Sequence, residues 1–455
     1  MSSIDCVLRP RSIAVVGASD DIHKIGGRPL HYLHRYGYAG DIYAVNPRAG
    51  AIQGHEAYAS MQDLPQIPDL AILAVPSSAA LEQIQLCGRL GVRGAIIFAS
   101  GYAETGSVGA QAERDMANAA RSTGMRLVGP NTIGPANFAT GAVMSFASVY
   151  GNIAPLDGPV AIVSQSGAVG VSVYASVRER GVGVRYVCAT GNQADVDVAD
   201  YLDAVADDPG VRQVLVYLED VGNDNDLQRA VQRLRASGVE VVILASAFTE
   251  AGRKMARLHT GSRGVSCTAL DQIQALGCRC VRSIDELGDS VKAPAASMPG
   301  PAAPRVCIVS NSGASCVLGA DACDDHGLPL STLAAGTVDA LDSVLPSFSL
   351  SRNPIDLTAM LLADPSLLPR AVALILADEA CDALALSLVA ARGRGYDIGA
   401  FARHVAQAAA TARKTVVFSS PDSHARTVFL HAGIASFRSE HAAIGELRAL
   451  HTVRA

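Results

Sequence analysis

Short apolar runs alternate with amphipathic stretches along almost the whole chain. The runs SIAVVGA (12–18), DIYAVNP (41–47), LAILAVP (70–76) and GAIIFAS (94–100) read as buried strands, each followed by a stretch of helical period. A second series follows: GPVAIVSQS (158–166), VRYVCAT (184–190), VRQVLVYLE (211–219) and VEVVILASA (239–247). RVCIVSNS (305–312), ALALSLVAA (383–391) and KTVVFSS (414–420) form a third. Continuous apolar strands separated by one helix each predict βαβ units and parallel sheets with both faces covered. The predicted class is α/β, in three doubly wound parallel-sheet domains.

Breaks in the pattern suggest where these domains divide. VKAPAASMPGPAAP (291–304) is rich in Pro and Ala, has no apolar period and reads as a linker. A softer break lies near Asn152–Gly158. The expected domains are residues 1–150, 151–290 and 305–455. The chain also repeats itself: PVAIVSQSGAVG (159–170) is echoed by PRVCIVSNSGAS (304–315), each a strand, an S-x-S-G turn and a helix start.

Composition narrows the function. The 455 residues carry a net charge of −6 with basic residues scattered, which argues against a nucleic-acid partner. The ten cysteines include no CxxC pair and no zinc-ligand spacing, so free thiols in a reducing cytoplasm and no metal centre are expected. The N-terminus lacks an apolar signal core, and no uncharged apolar run reaches the ~18 residues that span a bilayer. No membrane association is expected.

The S-x-S-G turns carry the most chemistry. Neither copy has the leading glycine of a nucleophile elbow. Both set a serine and a glycine on a helix N-terminus, where unpaired N–H groups and about half a positive charge suit an anion. Ser164, Gln165, Ser166 and Gly167 form one candidate phosphate cradle, and Asn311, Ser312 and Gly313, with Ser310 before them, the other; plain helix capping would also satisfy the serines. Among eleven histidines, His259 in KMARLHTGS stands out for its loop after a strand and the Thr-Gly that follows.

At this point an ordered set of motifs resembles a family. VVGAS (15–19), VNP (45–47), GPNTIGPAN (129–137), SQSGAVG (164–170), GNQADVDVADYL (191–202), YLED (217–220), HTG (259–261) and NPIDLT (353–358) are similar to the α subunit of NDP-forming acyl-CoA synthetases, the superfamily of ADP-forming acetyl-CoA synthetase and succinyl-CoA synthetase. The resemblance implies a Rossmann-like coenzyme A domain followed by two flavodoxin-like domains. It implies an acid–thiol ligase: acyl-CoA + NDP + phosphate ⇌ carboxylic acid + CoA + NTP, through an acyl phosphate and a phosphohistidine. His259 would be the phosphate carrier and Glu219 the carboxylate that orients it, with the phosphoryl group resting between the two S-x-S-G helix starts. Gly17, Ser19, Lys24, Asn46, Pro47 and Arg48 would hold the nucleotide end of coenzyme A. Val75, Pro76, Ser77, Ser100 and Gly101 would line its adenine and pantetheine path. Asn131, Gly191 and Asn192 would line the acyl and phosphate site.

The residues agree with the resemblance where they can be read alone. The first strand is followed by one glycine, not G-x-G-x-x-G, and the second ends in Asn46 rather than the acid that holds an NAD ribose. These features count against an NAD(P)-dependent oxidoreductase. The chain departs from the family pattern at Ala245, where most relatives carry lysine, and at Leu258 and Arg263, where small residues are usual. Those departures keep a second reading open: a coenzyme A-binding regulatory or scaffold protein with a drifted phosphotransfer loop. Nothing in the chain resembles an ATP-grasp domain, so the resemblance implies an ATP-grasp β subunit as partner, with Mg2+ and ADP or ATP bound there, in an oligomeric assembly.

Overall fold

The computed structural model describes residues 4–48, 50–220, 224–246, 249–251, 254, 265, 267–291, 303–346, 351–389 and 396–452. The polypeptide divides into two compact units. One comprises Met1–Arg178 with Val182–Val291, and the other Glu179–Gly181 with Lys292–Ala455.

The first unit holds two sheets. Strands β1 (Ser12–Val16), β2 (Asp41–Val45), β3 (Ala51–Ile52), β4 (His55–Tyr58), β5 (Leu70–Leu73), β6 (Gly94–Ile97) and β7 (Arg126–Val128) lie in the order β3-β4-β2-β1-β5-β6-β7. Apart from the antiparallel β3, neighbouring strands run parallel. Leaving β3 aside, the sequence of strands is 3-2-1-4-5-6, the Rossmann order. β5 and β6 are buried along their whole length, as strands sandwiched between helices must be.

The second sheet contains β8 (Ala136–Asn137), β9 (Ala142–Val143), β10 (Val160–Ser164), β11 (Val184–Ala189), β12 (Gln213–Leu218), β13 (Glu240–Ala245) and β14 (Arg279–Val281), ordered β14-β13-β12-β10-β11-β8-β9. Its parallel strands follow the flavodoxin order 2-1-3-4-5 read from one edge. β8 and β9 are an antiparallel hairpin on β11, with Asn137 opposite Tyr186. Sheet membership therefore changes between Val128 and Ala136, ahead of the composition change near Asn152. Arg126 of β7 forms ion pairs with Asp195 at 2.9 Å and Asp200 at 2.8 Å, and so joins the end of one sheet to the helix entry of the other.

The second unit is built on β15 (Val306–Ser310), β16 (Ile355–Asp356), β17 (Ala383–Ser387), β18 (Thr415–Ser419) and β19 (Ala435–Phe437), in the order β16-β15-β17-β18-β19. This is the flavodoxin order again, and all its pairs are parallel. The sequence echo thus maps onto two sheets of one topology. Every apolar run read as a strand is a strand.

Each sheet has a topological switch point, where the chain leaves one strand to one side and returns to the other. The switch lies between β1 and β5, between β10 and β12, and between β15 and β17. At the first of these the backbone is crowded. Gly17, with φ +82°, sits so close to β5 that a Cβ on it would lie 2.4 Å from the Ala74 carbonyl oxygen. A Cβ on Gly26 would lie 2.0 Å from the carbonyl oxygen of Gly17. The loop Ala18–Gly27 can fold back over the end of β1 only because both positions lack side chains.

Gly26→Ala is expected to cost about 1–3 kcal/mol through this overpacking, measured by urea denaturation of the purified protein. Gly336→Ala is the control. It sits inside the helix Ala335–Val344 with open space around its Cβ position and is expected to be neutral or stabilising by up to about 1 kcal/mol. Equal destabilisation by both variants would contradict the crowding argument.

Candidate functional site

Each sheet carries a side-chain amide that ties one strand end to a neighbour: across the switch point at β10/β12 and at β15/β17, and from the end of β2 to the loop after β1 in the first sheet. Asn46 follows β2. Its Nδ2 donates to the Ala18 carbonyl at 2.8 Å, and its Oδ1 accepts the Arg48 N–H at 2.9 Å. Gln165 follows β10. Its Nε2 donates to the Asp220 carbonyl at 2.7 Å, and its Oε1 accepts the N–H groups of Glu219 and Asp220 at 2.5 and 2.9 Å, beyond β12. Asn311 follows β15, and its amide both donates to the Val389 carbonyl and accepts the Val389 N–H, each at 3.0 Å, beyond β17. Each amide is tied to backbone, and Asn311 Nδ2 also lies 3.4 Å from the Tyr396 hydroxyl, so Asn46, Gln165 and Asn311 shape the loops around the crevices.

In the β1–β5 crevice the loop after β1 is ordered both by its own Ser19 and by Gln53 of the β3–β4 turn. The Ser19 hydroxyl accepts the Asp21 N–H, and the Gln53 amide donates to the carbonyls of Ser19 and Gly27, both at 2.9 Å. Gln53 and Gly54 both have positive φ, the geometry of a two-residue turn between β3 and β4. Lys24, Pro47 and Arg48 are exposed on these loops. Pro76 precedes the helix Ser77–Leu90 at the end of β5, and Val75 is partly covered there. Ser100 and Gly101 lie exposed beyond β6. The first domain's predicted residues therefore all fall at the C-terminal ends of neighbouring parallel strands. Sequence reasoning passed over Gln53, Gly26 and Gly27. The adjacent Gly-Gly pair ahead of Pro29 was the available signal for the glycines.

In the β10–β12 crevice the two serines divide the work. Ser164 is fully buried; its hydroxyl donates to the Ser166 carbonyl at 2.6 Å and accepts the Ser166 N–H at 3.2 Å. Ser166 precedes the helix Gly167–Glu179 and its hydroxyl accepts the Val169 N–H at 3.3 Å, an N-cap bond. The first helical N–H groups, at Gly167 and Ala168, have no acceptor within the helix by its geometry and point beyond its start. Glu219 is the residue after β12, and the Gln165 amide fixes its backbone. Ser246, after β13, donates its N–H to the Leu218 carbonyl at 2.8 Å. The chain thus enters the segment that carries His259 from the C-terminal end of the sheet, where Ser164 and Glu219 also sit; His259, Leu258 and Arg263 lie outside the described residues.

The third crevice repeats the turn with one change. The buried Ser310 hydroxyl accepts the Ser312 N–H at 3.1 Å, and Ser312 holds the N-cap of the helix Gly313–Asp325 without a side-chain cap bond.

Asn131, Gly191 and Asn192 come together where the loop after β7 meets the loop after β11. Asn131 has φ +57° and bonds its N–H to the Ala99 carbonyl at 2.9 Å. Gly191 has φ +65°, and the Asn192 N–H reaches the Pro130 carbonyl at 2.9 Å. Asn131 Nδ2 donates to Asn192 Oδ1 at 3.2 Å. Two carboxylates that sequence reasoning did not single out, Glu104 and Glu113, accept from Asn192 Nδ2 at 2.6 and 2.9 Å. Burial alone would raise the Glu104 carboxyl, but the Gly101 N–H and the Asn192 amide outweigh it and hold Glu104 below the usual carboxylate range. Burial pushes Glu113 up.

A Rossmann sheet and two flavodoxin sheets, each with a crevice at its switch point, accord with the acid–thiol ligases that form acyl-CoA with a nucleoside diphosphate as product. Profile comparison gives the same answer: residues 11–137 match a family described as "CoA binding domain", and residues 157–293 one described as "Succinyl-CoA ligase like flavodoxin domain". The chain belongs to the α-subunit family of ADP-forming acyl-CoA ligases. It is 32% identical over 78% of its length to the α subunit of acetate–CoA ligase [ADP-forming] II of Pyrococcus furiosus, covering 76% of that protein. It is 33% identical over 76% of its length to acetate–CoA ligase [ADP-forming] I of Archaeoglobus fulgidus, of which it spans about half (50%). Among solved structures, an acetyl-coenzyme A synthetase of Ca. Korarchaeum cryptofilum in complex with phosphate and ADP superposes with a TM-score of 0.78 at 28% identity, over 99% of this chain and 97% of the other. Among the described residues no helix is long and apolar enough to cross a membrane.

Gln165→Ala removes the acceptor shared by the Glu219 and Asp220 N–H groups. It is expected to cost about 1–3 kcal/mol in urea denaturation, and Gln165→Glu, which keeps the acceptor but sets a carboxylate oxygen against the Asp220 carbonyl, is destabilised as well. A Gln165→Ala protein as stable as the parent would show that the amide clamp carries no load.

Proposed function

We propose that this protein is the α subunit of an NDP-forming acyl-CoA ligase that interconverts acyl-CoA, phosphate and a nucleoside diphosphate with a carboxylic acid, coenzyme A and a nucleoside triphosphate. Phosphate attacks the thioester carbonyl, the C–S bond breaks, and an acyl phosphate and the coenzyme A thiolate result. The imidazole of His259 then takes the phosphoryl group and the carboxylate leaves. An ATP-grasp β subunit, holding ADP or ATP with Mg2+, receives the phosphoryl group from His259 in a cytoplasmic, oligomeric assembly.

What supports this reading most is the turn at Ser164–Gly167. A phosphoryl group brings roughly −1.5 to −2 charges, and it needs donors that cost nothing to orient. With Ser164 and Gln165 committed to the backbone and Ser166 to the cap, the helix start offers Gly167 and Ala168 N–H groups backed by the helix dipole. The helix start at Gly313 supplies an equivalent set in its own unit. Glu219, whose backbone is fixed at the same end of the sheet, fits the role of carboxylate partner to His259: it would hold one tautomer and stabilise the charged ring. Phosphoryl transfer asks the protein mainly for position and charge stabilisation, which these fixed groups provide.

On the first sheet we assign coenzyme A to the β1–β5 crevice. Lys24 and Arg48 offer cations to its phosphates, while Gly17, Ser19, Asn46 and Pro47 form the loops around them. Val75, Pro76, Ser77, Ser100 and Gly101 would carry the arm toward Asn131, Gly191 and Asn192, where the acyl group would react.

Incubation with an ATP-grasp partner subunit, γ-labelled ATP and Mg2+ is expected to label the protein with an acid-labile, base-stable phosphate. His259→Ala abolishes the label, and Glu219→Gln slows its appearance by about 10²-fold. Label that persists in His259→Ala would overturn the assignment. No labelling of the parent, together with retained coenzyme A binding, would favour the regulatory reading.

A further inference from the structure

The contacts around Asn192 fix more than its own position. A carboxylate only accepts hydrogen bonds. Because Glu104 Oε2 and Glu113 Oε2 both meet Asn192 Nδ2, that end of the amide must be its NH2 group, and both N–H bonds are used. Asn192 Oδ1 then faces Asn131 and must receive an N–H from it. Asn131 is left with one N–H and its Oδ1 to present to the exposed crevice. The orientation of the Asn131 amide is therefore set two steps away, by the acid pair. Without the acids, Asn192 could turn over, and Asn131 would have to turn with it to avoid opposing two NH2 groups.

The pair is also tied to the strip beyond β6. Glu104 Oε1 accepts the Gly101 N–H at 2.6 Å, and Glu113 Oε2 accepts the Ala103 N–H at 3.2 Å. One carboxylate, Glu104, thus bridges Gly101 and Asn192.

We propose that Glu104 and Glu113 are positioning residues of the ligase. They orient the Asn192 and Asn131 amides so that an N–H meets the acyl phosphate, and Glu104 links that orientation to Gly101 on the coenzyme A path. This inference rests on the function proposed above. It separates the acids by chemistry. Both oxygens of Glu104 accept N–H bonds, so Glu104→Gln forces a donor against either Gly101 or Asn192. Only Oε2 of Glu113 is used in these bonds, so Glu113→Gln can keep its acceptor in place, whereas Glu113→Ala cannot.

The test uses the complex with its ATP-grasp partner and measures two rates: turnover of acetyl-CoA with phosphate and ADP, and formation of phosphoenzyme from labelled ATP. The second does not involve the acyl site. Glu104→Gln and Glu113→Ala are expected to lower kcat for acetyl-CoA by about 10–100-fold while phosphoenzyme formation stays within about 2-fold. Glu113→Gln recovers most of what Glu113→Ala loses. The inference is overturned if Glu104→Gln keeps kcat within about 2-fold, if Glu113→Gln is as impaired as Glu113→Ala, or if phosphoenzyme formation falls in step with kcat, since that marks a merely structural loss. An unaltered complex that binds coenzyme A but turns over no acetyl-CoA and forms no phosphoenzyme would instead remove the ligase reading, and this inference with it.

Discussion

The structure depends on how a parallel sheet ends at its switch point. Two adjacent strands stop side by side while their chains diverge, leaving backbone N–H and carbonyl groups that no ladder can satisfy. Gln165 and Asn311 answer this in the two flavodoxin sheets with an amide that both donates and accepts across the gap, and in the first sheet Asn46 closes its own turn and ties it to the loop after β1. Each such bond contributes only about 1 kcal/mol net. The larger effect is that the loops around each crevice are held in one shape before any ligand arrives.

Function follows from what these clamps leave free. At β10 the buried Ser164 closes the turn and Ser166 caps the helix, so the groups that remain are backbone N–H donors aimed along a helix dipole. Donors of this kind need no rearrangement as charge builds up on a phosphoryl group. At β1 the same principle acts through absence: Gly17 and Gly26 let the loop close down, and Gln53 locks it from the neighbouring hairpin. At both strand ends the free donors belong to the backbone, and the side chains of Ser164, Gln165 and Gln53 hold the backbone in place.

The sequence disclosed the fold wherever burial was continuous. SIAVVGA or VRQVLVYLE is legible because both faces of such a strand are covered. β4 was not, since HEAY is half exposed with no apolar run, yet it is the third strand of the Rossmann order. The β8–β9 hairpin has two residues per strand, too few for any alternation to register, and it changes sheets. In the site, the S-x-S-G turns were legible as helix starts, but the division of labour within them was not: whether Ser164 faces outward or its own turn depends on burial that local sequence does not encode. Glu104 and Glu113 were invisible for another reason. They meet Asn192 across 88 and 79 residues of chain, so no spacing could join them.

The central claim is that clamped strand ends present the helix start at Gly167 as a seat for phosphate. A crystal of the protein soaked in thiophosphate, read by anomalous sulfur and phosphorus density, tests it directly. The account expects the anion within hydrogen-bond reach of the Gly167 and Ala168 N–H groups, with the Gln165 amide still bound to Glu219 and Asp220. An anion coordinated instead by the side chains of Ser164 or Gln165, with the clamp broken, would contradict it.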